Sequence, residues 1–308
     1  MRVEIKTLEL HVSNKCTGTC KICCKCFSPN KFKPAFATPE YFRRVIECLK
    51  DVDCHELQTS GYGDAFLNPI YLDGLRAIRN AYPSQRIVLY TSAFSLTPER
   101  TDRIIRERLL DEINVRVDTT NPQVYAWHTG MNLGQTLANM EYFRKHNELI
   151  DLTIIYFPLH LYAPICRRVL GKEPAFFHEA EVAGLLRDEE KEVYEMIEAM
   201  PGPLRIRTRR SGICLWAERY DAPFDHSVPC RQLDDAFNWQ MLIYPNMDCG
   251  LCPYDSGQDT LIYGNIFRES IASAWNGDAR KRMIDRVRSN EIKDFPCNNR
   301  KCCSFYDV

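Results

Sequence analysis

The sequence predicts an α/β fold: a parallel sheet built from strand–helix units, followed by a smaller C-terminal domain. Three observations carry that expectation. Strand-like and helix-like segments alternate six times between residues 8 and 208, most of the 15 cysteines gather in one group near the start of this series and one after it, and the alternation stops beyond residue 210. Six alternations imply right-handed βαβ units, either curved into an open partial barrel or laid out as an open doubly wound sheet.

Residues 8–12 alternate and are rich in strand formers, and they run directly into Cys16. Thr38-Pro39-Glu40 supplies an N-cap, a proline at the first helical position and a first-turn acid; Phe42, Val45, Ile46 and Leu49 then follow at helical spacing. Residues 57–60 read as a strand ending in Gly61-Tyr62-Gly63, 69–81 as a helix and 86–92 as a strand. Thr97-Pro98-Glu99 opens a helix to about 110, 113–118 alternates as a strand, 133–145 is helical and 152–157 is an apolar strand. Residues 160–187 read as an irregular insertion, 188–200 as a helix and 204–208 as the sixth strand. The pattern then changes to a hairpin over 240–252, a helix over about 269–288 and a cysteine-rich tail, so we expect two domains, 1–210 and 211–308. In folds of this class ligands bind at the C-terminal ends of the strands, where Cys16, Gly63, Ser92 and Asp118 fall.

Composition narrows the chemistry. With 45% hydrophobic and 26% charged residues the 308-residue chain can bury a full core, and its net charge of −1 offers no general attraction for nucleic acid or an anionic membrane. No apolar run is long enough to span a bilayer, and the charged, alternating N-terminus is no signal peptide, so a soluble, cytoplasmic protein is expected. A chain in that compartment keeps its thiols reduced, which turns 15 cysteines toward metal ligation or redox chemistry. Cys48, Cys54, Cys166 and Cys214 lie outside the two groups and read as small apolar residues.

The first group is Cys16-Thr-Gly-Thr-Cys20-Lys-Ile-Cys23, a C-x3-C-x2-C loop directly after the first strand. Three thiolates there can hold three irons of a 4Fe–4S cube and leave the fourth iron open to a ligand. A structural zinc site is the alternative, with Cys24, Cys26 or His11 as fourth ligand.

On these residues the chain resembles the radical S-adenosylmethionine (SAM) enzymes, over essentially its whole length. The resemblance implies a partial (β/α)6 barrel whose open iron chelates the amino and carboxylate groups of SAM, with reductive cleavage giving a 5′-deoxyadenosyl radical. It also assigns the cofactor contacts. Ser60-Gly61-Tyr62-Gly63-Asp64-Ala65-Phe66-Leu67-Asn68-Pro69 is similar to the family's G-x-G-E-P-L-L-x-P segment, so Tyr62, Gly63 and Asp64 would bind the SAM amino group, with Asp64 in place of Glu and Ala65 in place of Pro. Ser92, closing Tyr90-Thr91-Ser92, would meet the ribose, Arg116 the SAM carboxylate, and Ile22, standing where an aromatic is usual, the adenine through its backbone.

The second cysteine group resembles the SPASM/Twitch domains that carry auxiliary Fe–S clusters: Cys230, the run MLIYPNMDCGLC, Gly264-Asn265-Ile266, Ala274-Trp275, then Cys297, Cys302 and Cys303. The resemblance implies a small α+β domain with one further 4Fe–4S cluster on Cys230, Cys252, Cys297 and either Cys302 or Cys303; a zinc ribbon on the same cysteines is the alternative. Met247 stands where the hairpin pattern has Gly. Cys249 is left over: a substitute cluster ligand, an ordinary hairpin residue, or a catalytic thiol that returns a hydrogen atom to a substrate radical. The last role suits the weak S–H bond of cysteine.

The few residues before the first strand lead us to expect no leader-peptide domain, which favours a small-molecule substrate. The compact arrangement resembles radical SAM enzymes acting on aminoglycosides and aminocyclitols. With Cys249 it implies an epimerase inverting C-5‴ of a sugar, neomycin C to neomycin B, with a flavodoxin or ferredoxin as electron donor. Asp118, Asp255 and Asp259 are the candidate contacts for that polycation. Two other readings stand beside it: a radical SAM dehydrogenase oxidising an aminocyclitol alcohol to a ketone, and a non-enzymatic module holding zinc at both cysteine groups.

Overall fold

The computed structural model describes residues 2–23, 35–170, 184–202, 206–210, 239–253, 255, 260–291 and 295. Within them run β1 (Val3–His11), α1 (Pro39–Cys48), β2 (Val52–Ser60), α2 (Tyr71–Ala81), β3 (Arg86–Thr91), α3 (Pro98–Glu107), β4 (Glu112–Arg116), α4 (Pro122–Thr129), α5 (Leu133–His146) and β5 (Asp151–Tyr156). There follow α6 (Leu159–Leu170), α7 (Glu190–Glu198), β6 (Ile206–Arg210), β7 (Gln240–Ile243), β8 (Asp248–Gly250), β9 (Ile262–Asn265), α8 (Ile271–Asn276) and α9 (Asp278–Arg288).

The strands form one sheet in the order β6-β5-β4-β3-β2-β1-β7-β8-β9. Strands β1 to β6 pair in parallel with their sequence neighbours. That order decides between the two expected architectures. Right-handed crossovers that always step the same way put every helix on one face, the geometry of a partial barrel, whereas a doubly wound sheet reverses its order part-way. β7 pairs in parallel with β1, with Leu10 level with Ile243, and β8 and β9 follow antiparallel, so the hairpin extends the barrel sheet beyond its first strand.

The two faces of β1 show how the chain sorts itself. Leu8 and Leu10 are fully buried, and Tyr41, Phe42 and Val45 of α1 belong to the same apolar core. Burying each such leucine contributes roughly 1.5–3 kcal/mol. Glu9 and His11 alternate with them, His11 Nε2 lying 2.9 Å from Glu9 Oε1, and Gln240 on β7 donates to Glu9 at 2.6 Å. This polar set marks the inside of the barrel. Lower in the lumen, a cavity of about 340 Å³ is lined by Glu56, Glu112, Asn114 and Tyr90, and Arg86 binds both Glu56 and Glu112.

Helix starts follow the expected signals. Thr38 and Thr97 accept from the backbone N–H of Tyr41 and Arg100, with proline at the first helical position in both. Other elements differ from expectation. Residues 159–170 form a helix with Pro164 inside it, where an irregular insertion is expected. The helix expected over 269–288 breaks at Gly277 into α8 and α9, whose extended backbone cannot continue a helical turn. Among the described residues no helix is long and apolar enough to cross a membrane.

Candidate cofactor site

The chain leaves β1 through Val12 and Ser13, and the loop 14–23 that carries Cys16, Cys20 and Cys23 lies at the C-terminal end of the strands. Two neighbours fix that loop. The first is the segment after β2. Gly61 has φ +122° and sits so close to the His11 ring that a Cβ would lie 2.7 Å from Nδ1, while a Cβ on Gly63 would lie 2.4 Å from the carbonyl oxygens of both Ser13 and Lys15. Only glycine tolerates that approach. Asp64 N–H then donates to Lys15 O at 2.7 Å.

The second neighbour is the end of α4. The last carbonyls of a helix have no partner within it; here the loop supplies them, with Thr19 N–H donating to Thr129 O at 2.7 Å and Lys21 N–H to His128 O at 2.9 Å. Gly130 ends the helix at φ +71°, and a Cβ there would meet Thr19 Oγ1 at 2.4 Å. Met131 continues the seat, its sulfur accepting from Thr17 at 3.8 Å and Ser92 at 3.6 Å.

The three thiols share one electrostatic environment: burial pushes Cys20 up to about 12, Arg116 opposes that shift, and Cys23 and Cys16 add to it. Such a thiol keeps its proton until iron displaces it. Cys16 is exposed, Cys20 and Cys23 half-buried, and Ile22 between them is buried. No three Cys, His, Asp or Glu side chains among the described residues close into a group sized for a single ion.

Arg116 ends β4 beside this loop. Its guanidinium lies 4.3 Å from the Phe157 ring centroid, and its Nε donates to both oxygens of Asp118, at 2.9 and 3.0 Å. Asp118 also meets His128 Nε2 at 3.2 Å. Burial pushes the Asp118 carboxyl up, but Arg116 beside it and then His128 more than offset this, so it stays below the usual carboxylate range. Burial holds His128 below its ordinary value despite the nearby Asp118, which favours the neutral ring.

Besides both ring nitrogens of His128, Asp64 Oδ2, whose other oxygen caps Phe66 N–H at 3.0 Å, and Arg116 Nη2 are buried at this site with no hydrogen-bond partner among the described residues. Asp64 Oδ2 is an acceptor on a carboxylate and Arg116 Nη2 a donor on a guanidinium. Together they complement an ammonium and a carboxylate, the two charged groups at the amino-acid end of SAM.

The family model of the Radical SAM superfamily matches residues 10–159. The chain carries a radical SAM domain. A radical SAM domain implies a 4Fe–4S cluster and SAM, and Cys16, Cys20 and Cys23 with Asp64 and Arg116 are the residues that would hold them. Among solved structures this chain is similar to BtrN in complex with AdoMet and 2-DOIA, at 13% identity and TM-score 0.54, covering 100% of this chain and 95% of that one. It is similar to Streptococcus suis SuiB bound to precursor peptide SuiA, at 16% identity and TM-score 0.58, covering 90% of this chain and 66% of that one. It is similar also to anSMEcpe with bound AdoMet, at 12% identity and TM-score 0.59, covering 99% and 92%. At such identities the likeness is one of fold. No curated protein matches the sequence.

The other candidate residues of this radical SAM chain are placed as follows. Ser92 faces Met131, and the hydroxyl of Tyr62 donates to the carbonyl of Pro253, tying the segment after β2 to the C-terminal hairpin. Cys252, next to Pro253, is buried. Asp118 is engaged with Arg116 and His128, and Asp255 accepts from Thr260 and Leu261 N–H at 3.2 and 2.9 Å, closing its own loop. Both acids therefore serve local structure where substrate contact is expected. Cys249 is fully buried and lies opposite Ile243, on the face covered by α1, where Cys48 and Tyr41 are its neighbours. The next residue, Gly250, lies under Tyr244 on the other face, so the structure does not bring Cys249 together with the three-cysteine loop. Cys24, Cys26, Asp259, Cys230, Cys297, Cys302 and Cys303 lie outside the described residues.

Sequence reasoning missed His128. Its helix is announced by Asn121-Pro122, the cap-and-proline signal already read at Thr38 and Thr97, and is closed by Gly130. The bond to Asp118 has no sequence signal, because it joins two segments only through the fold.

Proposed function

We propose that the chain is a radical SAM epimerase that inverts a sugar carbon of an aminoglycoside, C-5‴, taking neomycin C to neomycin B. The observation that carries this reading is the seat of the hairpin: through Tyr62 and Pro253 the strand bearing Cys249 and the turn bearing Cys252 are tied to the cofactor end of the barrel. When bound, the 4Fe–4S cluster and SAM supply a 5′-deoxyadenosyl radical able to take one hydrogen atom from the sugar. Cys249 returns a hydrogen atom to the opposite face, its S–H bond breaking as the new C–H bond forms, and is left as a thiyl. One electron from a flavodoxin- or ferredoxin-class donor and one proton from water restore the thiol. Cys230, Cys252, Cys297 and Cys302 or Cys303 would hold an auxiliary 4Fe–4S cluster.

Burial pushes the Cys249 thiol well up and so keeps it in the S–H form that a hydrogen donor needs. The reading requires the β7–β8 hairpin to turn Cys249 toward the barrel mouth when substrate is in place. The test is Cys249→Ala: iron content and SAM cleavage retained with no inverted product supports it, and inversion by the variant refutes it.

A second reading is a radical SAM dehydrogenase oxidising an aminocyclitol alcohol to a ketone, with the substrate electron passing to the auxiliary cluster. Two observations favour it: the position of Cys249 against α1, and the full-length fold similarity to BtrN solved with AdoMet and 2-DOIA. It gives Cys249 a packing role, so Cys249→Ala would remain active.

A further inference from the structure

We propose that His128 is a positioning residue that couples the cofactor-gripping guanidinium of Arg116 to the loop carrying the three cysteines. The inference rests on reading Arg116 as the partner of the SAM carboxylate. A single residue faces both ways. Its backbone carbonyl accepts Lys21 N–H at 2.9 Å, between Cys20 and Cys23, and its imidazole Nε2 meets Asp118 at 3.2 Å. Asp118 in turn holds Arg116 by Nε, and Nη2 is left buried and without a hydrogen-bond partner among the described residues.

The surroundings leave this unit little freedom. His128 is fully buried and Asp118 is 5% exposed. The far end of α4 is pinned by Asn121, which caps Gln123 and Val124 N–H, and the near end by the loop itself. A shift of the cysteine loop therefore moves His128, and through Asp118 it rotates the guanidinium plane. A planar donor fork meets a carboxylate well in one orientation only, so affinity for the zwitterion depends on that alignment. Asp118, expected to contact substrate, is by this account the link between the two.

The experiment compares reconstituted wild-type protein with His128→Phe, which keeps a ring and removes the N–H donor, and His128→Gln, which restores an N–H donor. Each is read by the SAM binding isotherm, by the change in the reduced cluster's electron paramagnetic resonance signal on adding SAM, and by iron per chain. We expect His128→Phe to retain its iron, to bind SAM about tenfold more weakly and to show a reduced spectral change, with His128→Gln recovering most of the loss. Undiminished SAM affinity in His128→Phe, or equal losses in both variants, overturns the coupling. Should His128→Phe not fold, Asp118→Asn reads the same claim with the same expected loss, and unchanged affinity there overturns it. Arg116→Gln separates the underlying reading: unchanged SAM affinity in that variant refutes Arg116 as the carboxylate partner, whereas a loss there without one in His128→Phe refutes only the coupling.

Discussion

Asp64 is tied to Lys15 by a 2.7 Å backbone hydrogen bond, and that bond joins the segment after β2 to the loop that begins the cysteine triplet. Gly63 makes it possible by letting the two chains touch where any side chain would collide. The carboxylate is thus carried to the cysteine loop by backbone, and its Oδ2 is left buried and without a partner among the described residues. An enclosed acceptor of this kind costs free energy until a donor reaches it, which is the character of a site built for an ammonium.

Asp64→Asn keeps the oxygen that caps Phe66 N–H and removes the charge. SAM affinity should fall at least about tenfold while the melting temperature changes little, because the local turn survives. Binding isotherms and thermal melts on the same preparation check both halves.

Gly63→Ala drives a Cβ to 2.4 Å from two carbonyl oxygens. Backbone must move, so we expect a loss of roughly 1–3 kcal/mol of stability and a lower iron content after reconstitution. A variant with wild-type melting and full iron would contradict the packing described here.

Asp118 has a carboxyl held below its ordinary value, so its contribution to stability is present above the ordinary carboxylate pKa, about 3.9, and is lost as pH falls through the depressed folded value. Asp118→Asn should flatten the acid limb of the apoprotein's stability curve. Thermal melts between about pH 5 and 2 report it.

Cys249 shifts the other way. Its folded value is raised by burial, so the stability it lends is complete below the ordinary thiol value of about 8.5 and falls away as pH rises above it, while the folded thiol stays protonated. The apoprotein's stability should therefore hold level up to about pH 8 and decline above it, and Cys249→Ala should flatten that decline. Thermal melts between about pH 7 and 10 test it.

Arg108 closes α3 in the left-handed region at φ +49° and is exposed. Glycine occupies that position without strain, so Arg108→Gly should raise stability by about 0.5–1 kcal/mol. Chemical denaturation measures it.

Much of this was legible in the residues. Thr38-Pro39 and Thr97-Pro98 start helices because a side-chain cap and a pre-set proline act locally, and the alternation of Leu8, Glu9, Leu10 and His11 already separates core face from lumen face. The choice of barrel over doubly wound sheet came from the resemblance of the cysteine loop and its neighbouring segments, since it depends on which edge each strand joins and periodicity is blind to that. The helix over 159–170 was hidden by Pro164, a residue that ordinarily ends helices. Asp118 was visible as a strand-end acid, but its commitment to Arg116 and His128 is set by tertiary approach. The side of the sheet on which Cys249 falls follows from its register against Ile243, which the hairpin's sequence alone does not specify.

The proposed function has this chain return a solvent-exchangeable hydrogen from Cys249 to a sugar carbon. It is tested most directly by incubating reconstituted protein with neomycin C, SAM and reductant in D2O and analysing the aminoglycoside by mass spectrometry. The account predicts an isomer about one mass unit heavier, with deuterium at the inverted carbon, in the wild type and none with Cys249→Ala. A product about two units lighter, or an inverted product that carries no deuterium, would contradict it.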